Sequence, residues 1–380
     1  MKSLRETLAV PLLFMFLFTS CEKDSNKVII HDNNFLNALI ALGVDTDADS
    51  IISPVEAEVI TVLNLNDKNI SDLTGISAFI NLEKLFCANN KLTSLNLMVN
   101  TELTELDCFY NQLTSLDVSS NTKLAYFNCG GNSLTALDVS NNNLLKRLSC
   151  YENQLINLDV SNKPALEKLY CTQNQLTTLN LLNDTALRSL ECNFNQLTNL
   201  DVSNNINLDY LQCWENNITS LDFSNNTELH GVICDDNELT SLNITQNTKL
   251  TYLICSDNLL TTLDISNNPY LKEDLTCSNN QLTTLDVSNN PEIKWLRCQG
   301  NQLSNLDVSG NTKLTYLNCG SNLLSSLDVS NNNTLNRLEI DEMPSLNKVC
   351  VWILPFPPEG VTVDSTNSPN VYFTIECNDL

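Results

Sequence analysis

Residues 103–123 read LTELDCFYNQLTSLDVSSNTK, and this 21-residue unit decides the fold. Close copies precede and follow it with the pattern L-x-x-L-x-C-x-x-N-x-L-x-x-L-D-V-S-x-N-x-x. Its cysteine recurs every 21 residues, apart from one interval of 22, at positions 87, 108, 129, 150, 171, 192, 213, 234, 255, 277, 298 and 319. An asparagine follows three residues after each of them, from Asn90 to Asn322. Self-similarity at a fixed period of this length predicts a repeat architecture rather than independent globular domains.

The pattern resembles the leucine-rich repeats, and more narrowly a bacterial class in which a shorter and a longer half-repeat are nested. The resemblance covers about residues 60–340, and it implies a β-rich solenoid of parallel stacked strands, two per coil, with about 13 coils between residues 60 and 341. The Leu, Leu and Cys of one half and the Leu, Leu and Val of the other then point into a core one coil thick. The 22-residue interval contains the segment Leu271–Leu275, where the extra residue is expected to bulge one coil outward.

Two kinds of polar column repeat with the coils. Stacked asparagines are expected to satisfy buried backbone groups at the tight turns. The second half-repeat carries aspartate at positions 117, 138, 159, 201, 222, 264, 286, 307 and 328. Because a catalytic pair would occur once rather than in nearly every coil, we expect these aspartates to accept hydrogen bonds from backbone or Ser and Thr groups. A stripe of Ca²⁺ ions is the alternative.

The first 21 residues are expected to be a targeting segment. A basic start precedes an apolar run from Leu8 to Phe18, and Thr19-Ser20 lead into Cys21. This arrangement resembles the lipobox of bacterial lipoproteins, which implies a lipid on Cys21. The acidic and basic residues that follow resemble the signals of Bacteroidetes lipoproteins exposed at the surface. We therefore expect an exported outer membrane lipoprotein that contacts the membrane through its lipid. A plain secretory signal with an incidental cysteine is the alternative.

Residues 22–59 are predicted to form a linker and a small helical cap built around a calcium loop. The stretch from residue 45 to residue 56 has the spacing of an EF-hand, with Ca²⁺ ligands expected from Asp45, Asp47, Asp49, the Ile51 carbonyl, Ser53 and Glu56. Ser50 stands at the sixth position, where glycine is favoured for the sharp turn. Bound Ca²⁺ would stiffen the cap. The alternative is an acidic turn without metal.

Residues 342–380 leave the repeat pattern and are predicted to form a β C-terminal cap. Fifteen cysteines in an exported chain invite a disulfide framework. The twelve repeated cysteines are instead expected to be buried thiols, because parallel Cβ vectors in stacked coils disfavour the disulfide torsion. A bridge is expected only between Cys350 and Cys377, which flank most of the cap.

Charge and the scarcity of histidine narrow the possible functions. The chain has 45 acidic and 20 basic residues, and its net charge of −25 argues against nucleic acid because it repels phosphate backbones. Its two histidines, His31 and His230, stand in no recurring constellation with Cys, Ser or carboxylates. An enzyme is therefore a distant alternative.

Comparison of the coils with one another indicates a binding surface. Outward positions of the second half-strand are monotonous, mostly Thr, Asp and Ser, whereas those of the first half-strand vary and are rich in aromatic residues. Exposed aromatic residues on a variable face are typical of recognition surfaces. Some of them are explained by the ordinary preference of aromatic residues for strands. We predict a protein or cell-surface adhesion partner, with a glycan as the alternative. The expected binding residues are Tyr126, Tyr151, Tyr170, Tyr210, Trp214, Tyr252, Trp295 and Tyr316.

Overall fold

The computed structural model describes residues 27–377 as a stack of coils with little helix. Helices α1 (Asn33–Ala41) and α2 (Pro54–Glu58) precede the coils, and a 3₁₀ turn spans Ile76–Ala78. The three-residue strands are β1 (Val62–Asn64), β2 (Lys84–Phe86), β3 (Glu105–Asp107), β4 (Tyr126–Asn128), β5 (Arg147–Ser149), β6 (Asn157–Asp159), β7 (Lys168–Tyr170), β8 (Thr178–Asn180), β9 (Ser189–Glu191), β10 (Tyr210–Gln212), β11 (Gly231–Ile233), β12 (Tyr252–Ile254), β13 (Asp274–Thr276), β14 (Trp295–Arg297), β15 (Tyr316–Asn318), β16 (Ser326–Asp328), β17 (Arg337–Glu339), β18 (Lys348–Cys350), β19 (Thr362–Asp364) and β20 (Tyr372–Thr374). Within residues 27–377, no helix has the length and apolarity needed to cross a membrane.

One strand of each coil joins a single parallel sheet. This sheet has 15 strands in the order β1-β2-β3-β4-β5-β7-β9-β10-β11-β12-β13-β14-β15-β17-β19. Neighbouring strands pair in register, so that Leu106 lies beside Phe127 and Leu148 lies beside Leu169. The central residue of each strand faces inward and its two neighbours face outward. The predicted solenoid of parallel stacked strands is confirmed.

The prediction of two strands in every coil is wrong for most coils. Within residues 27–377, the second half-repeats pair as strands only in β6-β8 and in β16-β18-β20, with two isolated bridges elsewhere. The backbone is otherwise engaged: the Val118 carbonyl accepts hydrogen bonds from the Asn121 backbone and from the Asn142 side chain of the next coil. The β6-β8 pair forms where this asparagine is replaced, by Lys163 and Asp184 in successive coils. The replacement coincides with the β6-β8 pair only, since the bridges of Asn96 with Asp117 and of Asp222 with Asn243 form in coils that keep the asparagine.

The sheet also contains more coils than the predicted number of about 13. The first and the last two of its 15 strands belong to coils without the repeated cysteine, since Leu65 and Ile340 stand at that position next to β1 and β17. β19 continues the sheet into the region predicted as a separate cap. The disulfide between Cys350 and Cys377 lies in the same region.

The core repeats the same few side chains along the whole axis. The two leucines and the cysteine of the first half-repeat, and the residues that correspond to Val118 in the second, are almost completely buried. All twelve repeated cysteines are buried free thiols. Burial raises the pKa of these thiols, to about 12 for Cys150, because a thiolate would lose its hydration inside the core. They therefore act as small apolar residues.

The asparagine that follows each cysteine holds adjacent coils together. The Asn111 amide nitrogen donates to the carbonyls of Cys108 in its own coil and Cys87 in the preceding one, at 3.0 and 2.9 Å. Its Oδ1 accepts the Leu92 amide proton at 3.0 Å. This confirms that stacked asparagines satisfy buried backbone groups. We call the second asparagine column, in which Asn121 and Asn142 bond the Val118 turn, the inner column.

The residue two positions after each cysteine adopts a left-handed backbone conformation. Only two of the twelve residues at this position are glycine, Gly131 and Gly300, and the others include Tyr110, Gln173 and Phe194. Left-handed backbone costs a non-glycine residue roughly 1–2 kcal/mol. The turn therefore carries strain in most coils, and it directs these side chains outward beside the sheet.

The coil with the extra residue keeps its place in the sheet. β12 and β13 pair in register, with Tyr252 beside Asp274. Before β13, the amides of Lys272 and Glu273 both donate to the Thr251 carbonyl, at 3.1 and 3.4 Å. The following coil then bonds the carbonyls of residues 272 and 273 separately. The extra residue thus forms the expected bulge without shifting the strands.

The N-terminal cap covers the first coil through a few specific contacts. Asp32 accepts from the Asn34 and Phe35 amides as the N-cap of α1, and it also accepts from the Ser71 amide and hydroxyl. The buried Phe35 ring packs 6.5 Å from the Phe79 ring. The predicted targeting segment and Cys21 lie outside the described residues.

Candidate binding surface

The outward side chains of the 15-stranded sheet, together with the two residues that follow each cysteine, form one continuous surface, which we call the sheet face. All eight aromatic residues predicted for binding lie on it. Tyr126 and Trp295 are each 46% exposed, and the other six are partly buried. The structure therefore spreads these residues along the solenoid rather than gathering them in one pocket.

An aromatic cluster surrounds Gly130 and Gly131 on the N-terminal half of the sheet face. A Cβ at Gly130 would lie 3.0 Å from the Tyr151 ring, and one at Gly131 would lie 2.1 Å from the Tyr110 ring. The Phe109 ring is 3.8 Å from Tyr110 and 5.4 Å from Tyr151, centroid to centroid. The glycines thus let two tyrosine rings pack directly against the backbone.

The C-terminal half carries a network of arginines and aromatic rings. The Arg297 guanidinium lies 5.5 Å from the Trp295 ring and 5.2 Å from the Tyr316 ring, and it pairs with Asp274 at 2.9 Å. Arg337 lies over the same Tyr316 ring at 4.9 Å. The two guanidinium groups cover ring surface that a ligand would otherwise contact, and they hold the rings in place. The C-terminal half is therefore the more strongly pre-organised part of the sheet face.

An open depression of about 320 Å³ lies between these two regions. Its lining includes Arg147, Tyr151, Tyr170, Glu191, Asn193 and Gln212. The Arg147 guanidinium stacks 5.0 Å from the Tyr170 ring centroid. At its C-terminal side the Trp214 indole donates to Gln212 at 3.3 Å, and its ring packs 4.3 Å from Phe194.

The Thr, Asp and Ser surface of the second half-repeat is a regular series of turns. Asp117 Oδ1 accepts the Ser119 amide proton at 2.9 Å, and the same bond to the residue two positions on occurs at 138, 159, 201, 222, 264, 286, 307 and 328. The serine hydroxyl and amide lower the pKa of Asp117 because both stabilise the charged form. The aspartates therefore have the structural role that the sequence predicted.

These features agree with one solved structure in particular. No family model matches the chain. The functional domain of InlJ from Listeria monocytogenes, described as including a cysteine ladder, is 37% identical, with a TM-score of 0.73 over 84% of this chain and 79% of that chain. The chain belongs to the leucine-rich-repeat proteins.

More distant leucine-rich-repeat structures share the fold alone. The internalin InlF of Listeria monocytogenes has a TM-score of 0.71 at 23% identity, over 84% of this chain and 94% of that chain. A leucine-rich-repeat protein of Leptospira interrogans has a TM-score of 0.60 at 23% identity, over 86% and 98% of the two chains. The curated protein internalin J of Listeria monocytogenes is 39% identical over 70 residues, which is 18% of this chain and 8% of internalin J.

The loop predicted to bind Ca²⁺, residues 45–56, precedes the leucine-rich repeats. The carboxylates of Asp45, Asp47 and Asp49 lie within 4.8 Å of one another. Ser50 adopts a left-handed φ of 64°, so it forms the turn for which glycine is favoured. The Glu56 carboxylate instead accepts from the amides and hydroxyls of Thr46 and Ser53, at 2.7–2.9 Å. These bonds lower the pKa of Glu56 to about 2.

The histidines form no catalytic group with the neighbours that the structure shows. His31 Nδ1 lies 3.6 Å from an Asp72 oxygen, and His230 Nδ1 lies 2.6 Å from an Asp209 oxygen. Both pairs are exposed side-chain contacts beside coil edges. Neither has a nucleophile or a third group aligned with it among residues 27–377.

Sequence reasoning missed part of the sheet face. Tyr110 and Phe194 were not expected there, because two consecutive outward residues contradict strand alternation. Their left-handed backbone explains the exception. The sequence signal that could have identified Tyr110 and Phe194 is their constant position two residues after a repeated cysteine. Asn193 and Gln212, which line the depression, were also not predicted from the sequence.

Proposed function

We propose that this leucine-rich-repeat protein is an exported, lipid-anchored binding protein whose sheet face holds a protein partner during adhesion. Its fold is typical of protein interaction or adhesion rather than of enzymes. The observation that carries the proposal is the contrast between the two outer surfaces: the sheet face varies from coil to coil and is rich in aromatic residues and arginine, whereas the Thr, Asp and Ser surface repeats one turn. Aromatic residues and arginine are enriched where proteins bind proteins.

An adhesion assay tests this proposal. Beads coated with the purified protein are expected to attach to host cells, and protease treatment of the cells is expected to remove most of that attachment. Beads coated with bovine serum albumin are the control for non-specific contact. Attachment that survives protease but disappears after glycosidase treatment would contradict a protein partner.

The lipid anchor is a separate part of the proposal and rests on the sequence around Cys21. Metabolic labelling with a palmitate analogue is expected to mark the wild-type protein in a bacterial host. The Cys21→Ser variant should lose the label and leave the membrane fraction. Membrane association of an unlabelled wild-type protein would contradict lipidation.

A structural Ca²⁺ ion in the N-terminal cap is also proposed. Asp45 Oδ1 is buried and has no hydrogen-bond partner among residues 27–377, which fits a cation ligand more readily than a closed polar turn. Asp45, Asp47 and Asp49 would bind the ion first, and the Ile51 carbonyl, Ser53 and Glu56 would complete the expected set of hard oxygen ligands.

Calorimetric titration with CaCl₂ tests the ion site. Binding is expected for the wild type and should be lost in Asp45→Asn, with a lower melting temperature of the cap in chelator because metal stabilises the folded state by mass action. Asp67→Asn, an acidic turn residue outside the loop, is the matched control. Identical titrations for wild type and Asp45→Asn would contradict the proposal.

A further inference from the structure

The depression in the middle of the sheet face combines a cation and an anion that do not pair with each other. Within residues 27–377, Arg147 and Glu191 form no ion pair, whereas Arg297 and Arg337 on the same face pair with Asp274 and Glu339. The Arg147 Nε donates to the Ser149 hydroxyl at 3.4 Å, which leaves its two terminal nitrogens available. Burial raises the pKa of Glu191, and the Arg147 charge offsets part of that rise.

A buried amide adds a further donor beside these charges. Asn193 is only 4% exposed, and its Oδ1 accepts the Thr172 hydroxyl proton at 2.9 Å. Its Nδ2 has no partner among the described residues and borders the depression. This Nδ2 is not among the buried side-chain atoms that lack a partner, so it reaches solvent at the depression and can donate to a ligand. The depression therefore presents a polar donor beside its two charged groups.

An aromatic ring stands beside this polar lining. The Tyr151 ring packs against Gly130, where a Cβ would lie only 3.0 Å from the ring. Phe109 supports the ring from the neighbouring coil, with centroids 5.4 Å apart. A ring held in this way presents a fixed apolar surface next to hydrogen-bonding groups.

We propose that this depression binds a sugar ring of a neutral saccharide. Each sugar hydroxyl is both donor and acceptor, so adjacent hydroxyls can serve Arg147, Asn193 and Glu191 together, while the C–H face of the ring packs on Tyr151. The volume of about 320 Å³ lies at the lower end of small-ligand sites.

Other ligands fit less well. A protein anchor residue prefers a dry apolar centre with a polar rim, whereas here Arg147, Glu191 and Asn193 line the depression itself. A carboxylate ligand would meet Glu191 and the field of a chain with net charge −25. This site is independent of the proposed adhesion to protein, since one can be present without the other.

Affinity electrophoresis in native gels tests the proposal with named probes: starch, β-glucan, xylan, galactomannan and, as the acidic arm, polygalacturonate. At least one neutral polysaccharide is expected to retard the purified protein. Tyr151→Ala and Glu191→Gln should each raise the dissociation constant about tenfold, and Tyr151→Phe should retain most binding because the ring remains. Tyr270→Ala is the matched control, since that tyrosine is 63% exposed and lies outside the sheet face.

Three results would overturn the assignment. The first is no retardation by any neutral polysaccharide. The second is retardation by polygalacturonate alone, which would indicate anion capture by Arg147. The third is retardation that Glu191→Gln and Tyr151→Ala leave unchanged. Glu191→Gln alters a partly exposed side chain of nearly identical shape, so it keeps the test valid if Tyr151→Ala misfolds.

Discussion

Replacing Asp184 by asparagine is expected to stabilise the protein at neutral pH. Asp184 stands in the inner column, where ten other coils have asparagine, and its side chain is completely buried. One carboxylate oxygen accepts the Lys163 amide proton at 2.8 Å, and the other has no partner among residues 27–377. In the next coil the Asn205 amide donates to the Leu181 and Asp184 carbonyls, a role that an ionised carboxylate cannot perform.

The size of the effect follows from the pKa. Burial raises the pKa of Asp184 from 3.8 to about 6, and the Lys163 amide and charge offset only part of this rise. The pKa of Asp184 is higher in the folded protein than in the unfolded chain, so folding favours the protonated carboxyl. The free energy of unfolding therefore falls as the pH rises from the unfolded pKa through the folded pKa. The ionised form then costs roughly 3 kcal/mol at pH 7, and almost nothing below about pH 4.

Denaturant unfolding of wild type and Asp184→Asn at pH 4 and pH 7 measures this cost. The variant should be more stable by about 3 kcal/mol at pH 7, and the difference should shrink sharply at pH 4. Asp222→Asn is the control with the opposite sign, because the Ser224 backbone and side chain lower the pKa of the exposed Asp222 and the variant loses that contribution at neutral pH. An Asp184→Asn difference that is equal at both pH values, or negative at pH 7, would refute the reasoning.

Two further predictions concern the turns and the thiols. Gln173→Gly should stabilise the protein by about 0.5–1 kcal/mol in thermal unfolding. Gln173 has a φ of 53°, and glycine relieves this strain at some cost in backbone entropy. The control Gln175→Gly, at an ordinary backbone position, should destabilise the protein. Thiol titration of the denatured Cys21→Ser variant under non-reducing conditions should find the twelve repeated cysteines and leave Cys350 and Cys377 unreacted. A count of fourteen would contradict the bridge.

Much of the fold could be predicted because the same chemistry recurs in every coil. The leucines, the cysteine and the asparagine each occupy one place in the repeat, so a single argument about Asn111 or Asp117 holds along the chain. The missing strands could not be predicted, since the Val118 carbonyl is equally suited to a backbone partner and to the Asn142 side chain. Only the structure shows which donor reaches it.

The candidate site was harder to predict than the fold. Its aromatic residues were visible as a variable column, but their accessibility depends on neighbours in the same coil and in the adjacent coils. Trp295 is 46% exposed although Arg297 lies 5.5 Å from its ring, whereas Tyr151 packs against Gly130 and borders an open depression. The left-handed turn that places Tyr110 on the sheet face also lacks a glycine to mark it. Sequence periodicity identifies the face, and packing between coils decides which part of it a ligand can reach.

The central claim is that the sheet face binds the partner, and the affinity of matched variants tests it most directly. Once the protease-sensitive partner is isolated, its dissociation constant should be measured for Trp214→Ala, Trp295→Ala, Ser220→Ala and Ser241→Ala. Each tryptophan variant is expected to lose on the order of 2 kcal/mol, about thirtyfold, as interface anchors do, and each serine variant should bind like the wild type. Normal binding by both tryptophan variants together with loss in the serine variants would place the site on the Thr, Asp and Ser surface and contradict the account.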